Sequence, residues 1–177
     1  SKLKFDNVQL AIRVFAPAIA EARGFKARFF EYAQAAGGVV HQHVVRLREA
    51  AEDDRRWFLA MDLMTGATLQ GSRPAAAVSE WLATAWPLVD GIRQAAEGVA
   101  AGHAAGLVHG GLHLGNLFVA DVAGATQIKV GDLGLAAVAS LESEAPSPER
   151  DVFALGCALY ALTTGRDAFP QDAVKFA

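Results

Sequence analysis

The polar and apolar positions of this chain change period several times, and each change predicts a different element. Val8 to Phe15, VQLAIRVF, is a short β-branched and aromatic run and predicts a strand. Pro17 follows, and EARGFKARFFEYAQAA carries apolar residues at helical spacing until Gly37 and Gly38 stop it. HVVRLREA and RRWFLAMDL predict two strands joined by the turn-rich EDD. The polar connector MTGATLQGSRP, with Gly66, Gly71 and Pro74, leads into AVSEWLATAWPLVDGIRQAAEGVAAGHAAG, which predicts two helical segments with Pro87 near their junction. NLFVA and QIKVGDLG, separated by DVAGAT, predict a hairpin; EAPSPER predicts a loop, and DVFALGCALYALTTG an apolar helix ending at Gly165. The character therefore shifts from mixed to largely helical, with no internal repeat.

Composition narrows this picture. A chain of 177 residues buries one sizeable core or two small lobes sharing a cleft. A net charge of -3 with both signs dispersed argues against a nucleic-acid partner. The most apolar window, Ala154 to Leu162, is too short to span a bilayer, so no membrane insertion is expected. The lone Cys157 lies in that window and reads as a small buried hydrophobe, which fits a reducing cytoplasm, and SKLKFDNVQL lacks the apolar core of a signal peptide. Abundant alanine favours helix without assigning it a role.

The candidate chemistry lies in GLVHGGLHLGNLFV, residues 106–119, and in the GDLG beyond the hairpin. Singly, His109 reads as a core histidine, Asn116 as a loop amide bonded to local backbone, and Asp132 as a turn residue. Together, His109, Gly110, Gly111, Leu112 and Asn116, then Asp132, Leu133 and Gly134, resemble the protein kinase pattern of H-R-D-L-x-x-x-N, a strand hairpin and D-F-G. RDVFALGCALYALTTGRDAF resembles the central helix of that family's large lobe, LAIRVF its V-A-I-K strand, HQHVVRL its H-P-N-I-V-x-L, and FLAMDLMTGATL its hinge. The resemblance runs from Gln9 to Phe169 and is to bacterial-type Ser/Thr protein kinase domains. It implies an α+β, two-lobed protein kinase-like fold. Residues 1–65 would form an abbreviated β-rich small lobe (the lysine strand, the helix after it and two more strands), and 66–177 a truncated, mainly helical large lobe.

The same resemblance sorts what chemistry is kept. The loop carboxylate that accepts the substrate proton corresponds to Gly111; losing a general base costs on the order of 10² to 10⁴ in rate. The strand lysine that holds phosphates corresponds to Arg13, which keeps the charge in a planar, longer head. Its acidic partner on the next helix falls on Tyr32, with Glu31 one position away, so either Glu31 pairs with Arg13 or the pair is lost. The ten residues before Ala11 contain no glycine with which to form a phosphate lid, and only 18 residues separate Asp132 from Asp151, too few for a full activation segment. Asn116 and Asp132 stand where the family binds Mg²⁺, a hard cation suited to oxygen donors. Ala11, Phe118, Met61, Asp62 and Met64 stand where it binds adenine.

The resemblance thus implies a pseudokinase with no catalytic residue of its own: a binding or scaffold module with weak ATP and Mg²⁺ binding, its partner another protein or other domains of a longer chain. The alternative is a divergent ATP-dependent phosphotransferase for a protein or a small molecule. HGGLHLGN is similar to the HGDLHPGN loop of the aminoglycoside and choline phosphotransferases, with His113 at their histidine. A third reading is a fragment, in which the apolar face of VFALGCALYAL is covered by segments beyond this sequence.

Overall fold

A computed structural model of the chain describes residues 9–72, 78–139 and 146–169, and of residues 72 and 78–88 the backbone alone. Three antiparallel strands, β1 (Leu10–Val14), β2 (Leu47–Asp53) and β3 (Arg56–Asp62), form a sheet in the order β1-β3-β2. A second sheet is the hairpin of β4 (Leu117–Val122) and β5 (Ala125–Val130). Both hairpins turn through two residues with positive φ, Asp54 and Arg55 in one, Ala123 and Gly124 in the other. That backbone twist matches the right-handed twist of the flanking strands. Helices α1 (Pro17–Ala20), α2 (Phe25–Gly38), α3 (Val78–Ala104), α4 (Leu135–Ala139) and α5 (Pro148–Thr164) complete the α+β fold.

Two apolar clusters hold these elements. In the first, α2 lays Phe25, Phe29, Tyr32 and Ala36 on one stripe against Phe15, just past β1, and Trp57 and Leu59 of β3. The spacing of four, three and four residues is that of a helical face. Leu107, Leu133, Leu135 and Val138 join this cluster, so the first core draws on residues well beyond position 65. In the second, Ile92, Ala95 and Val99 of α3 meet Ile128 and Val130 of β5 and Ala158, Ala161 and Leu162 of α5. The seam between the sheets is backbone: Val45 N donates to Val130 O at 2.9 Å and Val130 N to His43 O at 2.9 Å. Gly98 lets α3 close over that seam, because a Cβ there would lie 2.3 Å from the His43 carbonyl oxygen.

Three sequence expectations are corrected. The two helical segments around Pro87 are one continuous helix, α3, 27 residues long. Proline disfavours a helix interior by removing one hydrogen bond, and here the apolar face of residues 92–99 outweighs it by packing on β5 and α5. Gly37 and Gly38 are the last residues of α2 and not its stop signal; the cap is Val39, in extended conformation. The helix expected from Asp151 begins at Pro148, after Ser147, as suits a proline whose missing N–H would be unpaired in a first turn anyway. Val8, the glycine-free residues 1–8 and part of the short 132–151 stretch, residues 140–145, lie outside the described residues. Among the described residues no helix is long and apolar enough to cross a membrane.

Candidate functional site

The loop between α3 and β4 is fixed by one carboxylate. Asp151, in the first turn of α5 and 1% exposed, accepts hydrogen bonds from His109 N at 2.7 Å, from Gly110 N at 2.9 Å and from His103 Nε2 at 2.8 Å. A carboxylate in a first helical turn also faces unsatisfied N–H groups and the positive end of the helix. From the other side, His109 Nε2 donates to Gly131 O at 3.0 Å, which ties the loop to the end of β5. The two glycines of the loop then differ. Gly110 has φ +72° and faces Pro146, whose Cβ would lie 2.8 Å from an added Cβ, so only glycine fits there. Among the described residues nothing lies within 4 Å of where a Cβ on Gly111 would go. Glycine puts no carboxylate into that space, and among the described residues the acid bonded to this loop, Asp151, already accepts three hydrogen bonds.

Burial lowers the pKa of the His109 imidazole, against the opposing charge of Asp151. The ring is therefore neutral, with the proton on Nε2 and a buried Nδ1 that has no partner among the described residues. The sign follows from linkage: below the ordinary histidine pKa of about 6.5 the unfolded chain binds a proton that the native ring refuses. Stability from this group is present above about pH 6.5 and falls as the pH drops below it, by up to about 1.4 kcal/mol per pH unit. A urea-unfolding series from pH 7.5 to 5 should show this slope, and His109→Phe should flatten it.

At the far end of the hairpin, Asn116 and Asp132 are brought together. Gly131 N donates to Asn116 O at 2.8 Å, and Leu117 pairs with Val130. Asn116 Nδ2 donates to Gly111 O at 3.2 Å. Asp132 has φ +55°, the left-handed conformation, and its Oδ2 accepts a hydrogen bond from Arg13 Nη2 at 2.9 Å. Of the two outcomes expected for the helix partner of Arg13, a pair with Glu31 is not formed among the described residues: Arg13 is ion-paired with Asp132, Glu31 is exposed, and Tyr32 is buried and borders a small hollow with Asp132 and Leu133. The Tyr32 phenol is pushed far above its ordinary pKa by burial and by the Asp132 charge, with Arg13 opposing. It stays neutral, so α2 offers Arg13 a phenol and not a carboxylate.

Between the sheets lies a crevice of about 140 Å³; Ala11, Val45, Met61, Asp62, Phe118 and Asp132 line it, as do Leu63, Met64 and Gly131. Of the residues expected at a nucleotide, Ala11, Met61, Asp62, Met64 and Phe118 converge here, and Arg13 reaches the rim through Asp132. Asn116 sits next to the crevice without lining it. A larger cavity of about 600 Å³ lies elsewhere, between the loop and α5, lined by His113, Leu114, Phe153 and Cys157 among others. His113 does not reach toward the vacant Gly111 position as a base would: its Nδ1 accepts from Gly115 N at 3.0 Å and caps the short turn Leu114–Asn116.

Sequence reasoning missed Val45, Leu63 and Gly131 in the crevice, and His103 and Asp151 behind the loop. Val45, Leu63 and Gly131 lie inside the stretches HQHVVRL, FLAMDLMTGATL and GDLG, a signal that was present. The partnership of Asp151 with positions 42 and 48 residues away leaves no local trace.

Comparison with known proteins agrees with this architecture. The family description "protein kinase domain" matches residues 10–147. The serine/threonine-protein kinase PknJ of Mycobacterium tuberculosis is 25% identical over 92% of this chain, and PknL of the same organism 28% identical over 92%. The chain spans 31% of PknJ and 44% of PknL. The crystal structure of the Mycobacterium tuberculosis PknI kinase domain superimposes with a TM-score of 0.65 at 24% identity, over 91% of this chain and 67% of that one, a likeness of fold.

Proposed function

The chain belongs to the protein kinase domain family, and from that premise we propose that it is a pseudokinase, a kinase fold kept for binding rather than for phosphoryl transfer. One observation carries the reading: Gly111 stands where the family's loop places its proton-accepting carboxylate, in a loop otherwise held in order by Asp151. Phosphoryl transfer relies on positioning and charge neutralisation, and a loop that keeps its scaffold while lacking its base fits a retained shape without the retained reaction. The crevice supports weak binding of a nucleotide-class ligand, with Ala11, Met61 and Phe118 around a flat ring. The partner in this reading is another protein or a further domain of a longer chain; the exposed Val152, Phe153 and Phe169 around α5 support it.

The test is phosphoryl transfer by the full chain from labelled ATP, with Mg²⁺ or Mn²⁺, to generic protein substrates and to itself. No transfer above background is expected, and transfer abolished by Asp132→Ala would overturn the proposal. Gly111→Asp, for which the loop has room, separates this from the divergent-phosphotransferase reading, which the intact crevice also favours. A gain of 10²-fold or more in that variant would mean that the rest of the site is competent; no gain is expected of a pseudokinase.

A further inference from the structure

The nucleotide-type site carries its own positive charge on the carboxylate that a metal ion would need. Its oxygen donors next to Arg13 are one carboxylate, Asp132, and one amide, Asn116; the other carboxylate lining the crevice, Asp62, is ion-paired with Arg48, and among the described residues no group of three or more His, Cys, Asp or Glu side chains stands together. The Asp132 carboxylate is already bonded to the Arg13 guanidinium at 2.9 Å. A dication placed on Asp132 would meet this guanidinium at a similar distance, so the attraction of the carboxylate is largely cancelled. Mg²⁺ sheds water reluctantly and is usually held by one or two carboxylates together with substrate phosphates. The residues as arranged do not fit that requirement.

Nor does the surrounding structure draw Arg13 away. On α2 the group facing the pair is Tyr32, neutral because burial and Asp132 both raise its phenol pKa, while Glu31 points into solvent. Arg13 is about half exposed and Asp132 a quarter exposed, so an anion arriving from solvent reaches the guanidinium directly. A guanidinium carries five N–H donors in a fork that matches phosphate oxygens, and one of them goes to Asp132. The crevice behind it is about 140 Å³, small beside the usual 300 Å³ or more of a ligand pocket. A volume of that size has room for little more than one flat ring system, which would leave the charged remainder of a ligand at the rim, beside Arg13.

We propose that this site binds a purine nucleotide without a divalent cation, the ring in the crevice and the phosphates on Arg13, which acts in place of the metal. The inference rests on the nucleotide-binding part of the reading above. It is separable from the absence of phosphoryl transfer.

The experiment measures ATP affinity of the full chain by titration calorimetry, once in excess EDTA and once in millimolar Mg²⁺, with adenosine as the phosphate-free control. Affinities within threefold of each other are expected in the two buffers, with adenosine at least tenfold weaker. Arg13→Ala should lose tenfold or more in ATP affinity while leaving adenosine binding unchanged, and Arg13→Lys should recover part of it. Asp132→Ala, which releases the guanidinium, should bind ATP in EDTA at least as well as the parent. Affinity tenfold or more higher in Mg²⁺, or loss of binding on Asp132→Ala, overturns the proposal. So does equal affinity for adenosine and ATP, or an absence of binding in both buffers. Mg²⁺-dependent binding without phosphoryl transfer would defeat this inference alone, whereas Mg²⁺-dependent binding with transfer would defeat the pseudokinase reading as well.

Discussion

Replacing Asp151 by alanine is expected to destabilise the fold by about 3–5 kcal/mol, the cost of removing one side of a buried, hydrogen-bonded charge network. The carboxylate accepts from His109 N, Gly110 N and His103 Nε2, and each donor left buried without a partner costs about 1–3 kcal/mol. Against a typical total of 5–15 kcal/mol, that is a large share. Urea unfolding should show a lowered midpoint with little change in slope. Asp151→Asn should recover only part of the loss, since its amide has one accepting oxygen to serve three donors. His103→Ala, which removes a single partner that is 22% exposed, should cost much less. A loss for Asp151→Ala no greater than that of His103→Ala would mean that the two backbone N–H groups find other acceptors. The prediction bears on the site because these two amides set the path of residues 109–111.

What the sequence could reveal divides along the same line. The order of the elements, the β4–β5 hairpin and the convergence of Ala11, Met61, Asp62, Met64 and Phe118 follow from motif intervals, because short segments at fixed spacing leave few ways to assemble. The partner of Arg13 was not legible. An arginine on β1 and an aspartate 119 positions later meet only once both sheets have packed, and a choice between Glu31 and Tyr32 differs by 100° around α2, which turns on the exact register of Phe25 and Phe29 in the core. Pro87 misled for a related reason, since local propensity is a weak prior that packing overrides. The start of α5 was readable in principle, from a serine followed directly by a proline.

That register makes Phe29 the second position of large effect. Its side chain is 0% exposed and its ring meets Trp57 at 4.9 Å between centroids, Phe15 and Phe25 at 5.8 Å and Phe30 at 5.9 Å, mostly edge to face. Phe29→Ala removes a buried ring from a close-packed cluster and should cost about 3–5 kcal/mol. Phe29→Leu, which keeps most of the apolar volume, should cost clearly less. The exposed Phe30, one residue on, supplies the control: Phe30→Ala should cost well under half as much. Thermal or urea unfolding checks the ranking. The consequence for the site is positional. Tyr32 stands one turn beyond Phe29 on the same face of α2, so a loosened cluster frees that face from β3 and with it the neutral group beside Asp132 and Arg13. In Phe29→Ala, near-ultraviolet circular dichroism should weaken before helical content falls, because ring packing is lost while the α2 backbone persists. Simultaneous loss of both signals would mean that α2 folds only as part of the aromatic cluster.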